Sequence, residues 1–172
     1  MTLRAADAAD PAALAAALGD GRVEVLLYNA YRATMAPGEH QGGPSSLDPE
    51  ALVADFRVNV AGALAATQAM LPGMLARGRG TVLFTGGGLA LDPTGWLPAA
   101  SLAVGKAGLR SLARTLHAEL APRGVHAGTV TVAGGIEPGT VFDPDRIADA
   151  FWSLHRDPLG AFRAEIVFRG ET

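Results

Sequence analysis

One lysine stands in a chain of 172 residues whose other thirteen basic side chains, counting Lys and Arg together as 14, are all arginine. It is Lys106, in the run Ser101-Leu102-Ala103-Val104-Gly105-Lys106. A lysine ammonium is a compact charge on a flexible stem, and an arginine does not replace it at a tight site. Leu102, one helical turn earlier, gives it an apolar neighbour. Desolvation there lowers an amine's pKa. The neutral amine could act as a base, and the charged form could hold a substrate oxygen. Ser101 is the hydroxyl nearest the Leu102 position, but one residue along a helix points about 100° away.

Asn59 is the second candidate. Asparagine is a poor helix former, yet it lies inside an otherwise apolar helical stretch. Either its amide is exposed or bonded back to its own helix, or it holds something else. Three turns follow apolar runs: Asn29-Ala30 after Tyr28, Thr85-Gly86-Gly87-Gly88 after Phe84, and Ala133-Gly134-Gly135-Ile136 after Val132. Such turns can aim backbone N–H groups at an anion, and they can equally be no more than permissive bends. His40, His117, His126 and His155 have no metal-ligand spacing. There is no cysteine, so thiolate chemistry and disulfides are excluded.

Composition narrows the field further. Apolar residues make up 49%, charged residues 18%, and the net charge is −3. No basic block gives nucleic acid or an anionic membrane an electrostatic footprint. The longest apolar run, residues 58–75, is broken by Asn59, Gln68 and Pro72, which argues against a membrane span. No secretory signal opens the sequence. A cytoplasmic protein of one domain, residues 1–172, is the expectation.

The elements that must position these residues alternate. Residues 2–6 form a weak strand. Asp10 caps a helix to about Leu18, with Pro11 at its first position. Residues 23–28 are a continuous apolar strand of the kind buried on both faces, and 31–46 are loop. Asp48-Pro49-Glu50 opens a helix whose buried stripe is expected at Leu52, Phe56, Val60 and Leu64, with Pro72 kinking or restarting it. Strands follow at 81–84, 125–132 and 164–168. Helices lie at about 100–120, with a stripe of Leu109, Leu112, Leu116 and Leu120, and from Asp143 through Ile147, Phe151 and Leu154. Strand–helix alternation predicts a mainly parallel sheet of about five strands with right-handed crossovers. Ligands then bind beyond the carboxyl ends of the strands, where the three turns lie.

From Asp7 onward the chain resembles the short-chain dehydrogenase/reductases. Asp7-Ala8-Ala9-Asp10 is similar to their acidic turn at adenine, and Tyr28-Asn29-Ala30-Tyr31 to their Asn-Asn-Ala-Gly turn. Arg57-Val58-Asn59-Val60-Ala61-Gly62 resembles the stretch holding their helix asparagine. Gly105-Lys106-Ala107-Gly108-Leu109 resembles the run after their catalytic tyrosine, and Ala133-Gly134-Gly135-Ile136 their turn beside the nicotinamide. The resemblance implies a partial Rossmann-like α/β fold and an NAD(P) cofactor. It implies catalytic roles for Lys106 and Asn59, the latter holding a kinked helix and a water. It places Asp7, Asn29, Ala30, Gly134 and Ile136 at the cofactor.

The departures carry equal weight. The family's Gly-rich phosphate turn and its first two strand–helix units have no counterpart ahead of Asp7. Leu102 stands where the family has tyrosine, and Gly86 to Gly88 where it has serine. Three readings follow. One is an NAD(P)-dependent oxidoreductase with redox activity weakened or lost. Another is a non-redox small-molecule enzyme of isomerase or cyclase type, or a catalytically inactive assembly partner of a complete relative. The last is an open reading frame that begins upstream. Weak dinucleotide binding by one chain, or none, is expected, as is a homo-oligomer through helices 49–76 and 100–120.

Overall fold

The computed structural model describes residues 3–19, 22–37 and 42–170. Helix α1 (Pro11–Leu18) starts as expected, with the Asp10 carboxylate accepting from the N–H groups of Ala12 and Ala13. Strand β1 is Val25–Tyr28. Helix α2 (Pro49–Phe56) passes through a wider π-helical turn, Arg57–Gly62, into α3 (Ala63–Arg77). Then come β2 (Gly80–Gly87), α4 (Ala100–Leu120), β3 (Val125–Val132), α5 (Pro144–His155) and β4 (Glu165–Phe168).

All strands are parallel and pair in chain order, β1-β2-β3-β4. The fold is thus α/β, partial Rossmann-like, with four described strands. The strand expected at residues 2–6 is not formed by its described part: residues 3–6 are exposed, Leu3 at 83%, and unpaired. A four- or five-residue segment with one apolar anchor has too little to bury there to offset its ordering entropy.

Alternate residues of each strand face opposite layers. Leu26, Tyr28, Val82, Phe84, Val125 and Ala127 pack against α3 and α4. Leu83, Val130 and Val132 pack against Ile147 and Leu154 of α5. Each crossover steps one strand in the same direction, but the last one carries its helix on the other face. It therefore has the opposite hand to the first two, against the uniform right-handed expectation.

Two helix expectations need correction. The continuous stretch Pro49–Arg77 runs through Pro72, and its irregularity falls at Arg57–Gly62 instead. Its buried positions are Asp55, Asn59, Gly62, Ala63, Ala66, Thr67, Met70 and Met74. The expected stripe lies to one side of them, with Phe56 40% exposed. The helix uses small and polar residues to approach its neighbours closely, so the apolar stripe is offset from the most buried line, with Val60 still packed against the core. By length and composition alone this stretch is also long and apolar enough to cross a membrane. On α4 the expected stripe holds at Leu109, Leu116 and Leu120. Arg110 of α4 grips Glu165 of β4 with two hydrogen bonds of 2.8 Å, fixing helix to sheet.

Helix α5 covers β2 to β4 and leaves the same face of β1 bare. Val25 is 41% and Leu27 52% exposed. No described residue pairs with the outer edge of β1.

Candidate active site

A cleft of about 810 Å³ opens at the carboxyl ends of β1, β2 and β3. It is lined by all three glycine-rich or turn segments: Asn29 and Tyr31, Thr85 to Gly88, and Val132 to Ile136. Leu89, Leu91, Trp96 and Leu102 add apolar wall, and Arg169 and Asp92 add charge at its margins.

Lys106 lies on the floor of this cleft and is buried. Its Nζ donates to the backbone carbonyl of Thr85 at 2.7 Å and stands 5.8 Å from the centroid of the Tyr31 ring. Burial pushes its pKa down from 10.5 to about 8. The direction follows from desolvation of a cation, and no described carboxylate forms an ion pair with it. Leu102 shares the cleft, so the apolar neighbour read from helical spacing is in place.

Asn59 is buried behind the cleft wall and does not line it. It sits in the π-helical turn, and its amide is spent on the chain after β1. Its Oδ1 accepts from the Arg32 N–H at 2.9 Å, and its Nδ2 donates to the Arg32 carbonyl at 2.8 Å. A π turn releases a backbone carbonyl from its usual partner. Here Val58 offers its carbonyl to the Tyr28 hydroxyl at 2.5 Å. Burial pushes the Tyr28 pKa up to about 12.

Asn59 has two helpers. Asp55, with no exposed surface, accepts from the Thr34 N–H and, at 3.0 Å, from the Thr34 hydroxyl. It also pairs with Arg32 Nε at 3.0 Å. Ser101 donates to the Thr34 carbonyl at 2.9 Å and accepts from its N–H at 3.2 Å. Together they strap residues 32–34 beside the cleft. Gly105 makes the arrangement possible, because a Cβ there would come within 2.5 Å of Asn59 Nδ2. Ser101 therefore belongs to the strap and not to the cleft.

Of the residues expected at the site, the structure brings together Lys106, Asn29, Gly134 and Ile136. Ala30 packs against the core instead. Asp7 is exposed and outside the cleft, where its carboxylate accepts from the Ala9 N–H at 2.8 Å, shaping the approach to α1. Asp55 and Tyr31 were not singled out from sequence. An acid four residues before Asn59, on one helix face, was the available signal for the first. A tyrosine closing the Asn29 turn was the signal for the second.

A family model described as short chain dehydrogenase matches residues 2–142. The chain belongs to the short-chain dehydrogenase/reductase family. Over 125 residues it is 38% identical to human 17-beta-hydroxysteroid dehydrogenase type 1, a match spanning 70% of this chain and 35% of that enzyme. It thus spans about a third of that curated relative. A metagenomic short-chain oxidoreductase solved in complex with NADP superposes with a TM-score of 0.79 at 24% identity, over 95% of this chain and 72% of the other. A short-chain oxidoreductase from Burkholderia thailandensis matches at 31% identity and TM-score 0.63, over 75% of this chain and 48% of its own.

Proposed function

We propose that the chain is an NAD(P)-linked short-chain oxidoreductase unit whose cleft receives an apolar alcohol or ketone and whose redox step is slow. The observation that carries this is Lys106, buried on the cleft floor at the carboxyl ends of three parallel strands. Two family structures contain NADP or NADPH by their descriptions, and the human relative is named for a hydroxysteroid. The apolar wall of Leu89, Leu91, Trp96, Leu102 and Ile136 suits such a ligand.

The residues present fit one half of the cofactor. Lys106 and Asn29 would hold the nicotinamide ribose, and the Gly134–Ile136 backbone would face the carboxamide. The bound nicotinamide would supply or accept hydride. No described glycine-rich turn precedes β1 to cradle the pyrophosphate, and such a cradle normally sits at a helix N-terminus. The chain's own part is to orient the substrate oxygen and exclude water. Leu102 carries no proton. Loss of a general acid costs a factor of roughly 10²–10⁴ in rate.

A second reading, a non-redox enzyme or an inactive partner of a complete relative, is favoured by Leu102 and by Gly86 to Gly88. Either reading suits a homo-oligomer through α2–α3 and α4, whose outer faces expose Val53, Phe56 and Val104. Light scattering should give a mass above 17.6 kDa. Calorimetric titration with NADPH and NADH tests the cofactor part. Binding weaker than about 10 μM, roughly −7 kcal/mol, is expected. No binding at millimolar cofactor would overturn the NAD(P) reading in favour of the second.

A further inference from the structure

The amine of Lys106 has one described hydrogen-bond partner, the neutral Thr85 carbonyl, so one N–H is satisfied whether the group is charged or not. Its surroundings in the cleft are apolar on the Leu102 side and aromatic on the Tyr31 side. The other titratable groups facing the cleft are Tyr31, Asp92 and Arg169. Asp92 is not aimed at the amine: its Oδ1 accepts from the Thr94 N–H at 3.1 Å and from the Thr94 hydroxyl at 2.6 Å. Nothing near Lys106 therefore stabilises its charge beyond a carbonyl and a ring face. A pKa of about 8 leaves about a tenth of the amine neutral at pH 7. In an unfolded chain, near 10.5, the neutral fraction is far smaller. A neutral amine in an apolar pocket is an activated nucleophile.

We propose that Lys106 captures apolar aldehydes and ketones in this cleft as an imine, without any cofactor. The Nζ lone pair forms a bond to the carbonyl carbon while the C=O π pair moves to oxygen, which takes up a proton as Nζ gives one up. The nitrogen lone pair then forms the C=N bond as the C–O bond breaks, and the oxygen leaves as water with a second proton, the one that Nζ still carried. Nothing is oxidised or reduced. Tyr31 is the one phenol lining the cleft, and as part of this proposal it relays these protons. The substrate class is set by the walls: Leu89, Leu91, Trp96, Leu102 and Ile136 favour a carbonyl carried on a hydrocarbon body.

The test is reductive trapping. The full chain is treated with hexanal or benzaldehyde and cyanoborohydride at pH 7, and adducts are located by peptide mass mapping. Only the terminal amine and Lys106 can react, because the chain has no other lysine. Lys106 should be modified at least tenfold faster in the folded protein than in urea. Its rate should rise with pH up to about 8 and then level. Lys106→Arg should abolish the adduct at that position while leaving the terminal one. Tyr31→Phe should slow trapping severalfold with an unchanged melting temperature. Equal or slower modification in the folded state would overturn the proposal. Equal rates in Tyr31→Phe would overturn the part given to Tyr31. Trapping is read without NADPH, so it can fail while cofactor binding succeeds, or the reverse.

Discussion

The two walls of the cleft are built in opposite ways. On one side, the chain just after the wall residue Tyr31, residues 32–34, is held by Asp55, Asn59 and Ser101, three buried polar side chains from two helices. On the other, Gly134, Gly135 and Ile136 are exposed. The loop that follows them closes mainly on itself, through Glu137 N–H to the Phe142 carbonyl at 3.3 Å and Thr140 N–H to the Glu137 carbonyl at 3.3 Å. Buried polar networks fix a conformation when every member is satisfied. Short local bonds on an exposed backbone open cheaply. The difference leads us to expect one preformed wall and one that yields to what enters, its loop held to the core chiefly by Phe142.

Asp55→Ala is the strongest way to break that contrast. It strips partners from the Thr34 N–H, the Thr34 hydroxyl and Arg32, and should cost about 3 kcal/mol in urea denaturation. A cost below about 1 kcal/mol would mean the strap is already loose. Gly105→Ala comes next, because the new Cβ must displace Asn59. A cost of about 2 kcal/mol is expected, with faster hydrogen exchange confined to residues 31–36. Lys106→Met works in the other direction. Burying the ammonium opposes folding, so removing it should stabilise the chain by about 1 kcal/mol at pH 7, after the loss of the bond to Thr85 is discounted.

The sign can be checked by pH in the wild type. Lys106 falls from 10.5 unfolded to about 8 folded, so between those values the unfolded chain binds more protons. Its contribution to stability therefore rises as pH climbs from about 8 to 10.5, and below 8 the burial cost is fully present. Thermal melts of wild type and Lys106→Met should draw together and then cross over that window, because the wild type gains about 3 kcal/mol against a gap of about 1 at pH 7. The smallest effect is expected on the yielding wall, where Ile136→Ala should change stability by less than about 0.5 kcal/mol.

The yielding wall and the floor were legible in the sequence, and the strap was not. Lys106 announces itself by composition and by its place one turn after Leu102. Gly134 and Ile136 follow an apolar strand directly, so the strand period places them at its carboxyl end. The strap depends on pairings of Asn59 with Arg32 and Ser101 with Thr34, across 27 and 67 residues. No local period encodes these. The apolar pattern on α2–α3 also misled, because the close approach at Gly105 is made by small and polar residues and leaves Phe56 half outside. The supposed strand at 2–6 had composition in its favour, but a strand needs a neighbour, and its described part has none.

The sheet's strand order has a consequence for how the chain reaches this state. Every strand pairs with the strand next to it in sequence, β1 with β2, β2 with β3, β3 with β4. None waits for a distant segment to fill a gap between two others. Loop closure is therefore charged in instalments of one helix each, and not as one large early loss. A chain leaving the ribosome can dock each new strand on a finished edge, with domains forming from the N-terminal side as synthesis proceeds. Such growth would leave the described sheet with two open edges, the outer sides of β1 and β4.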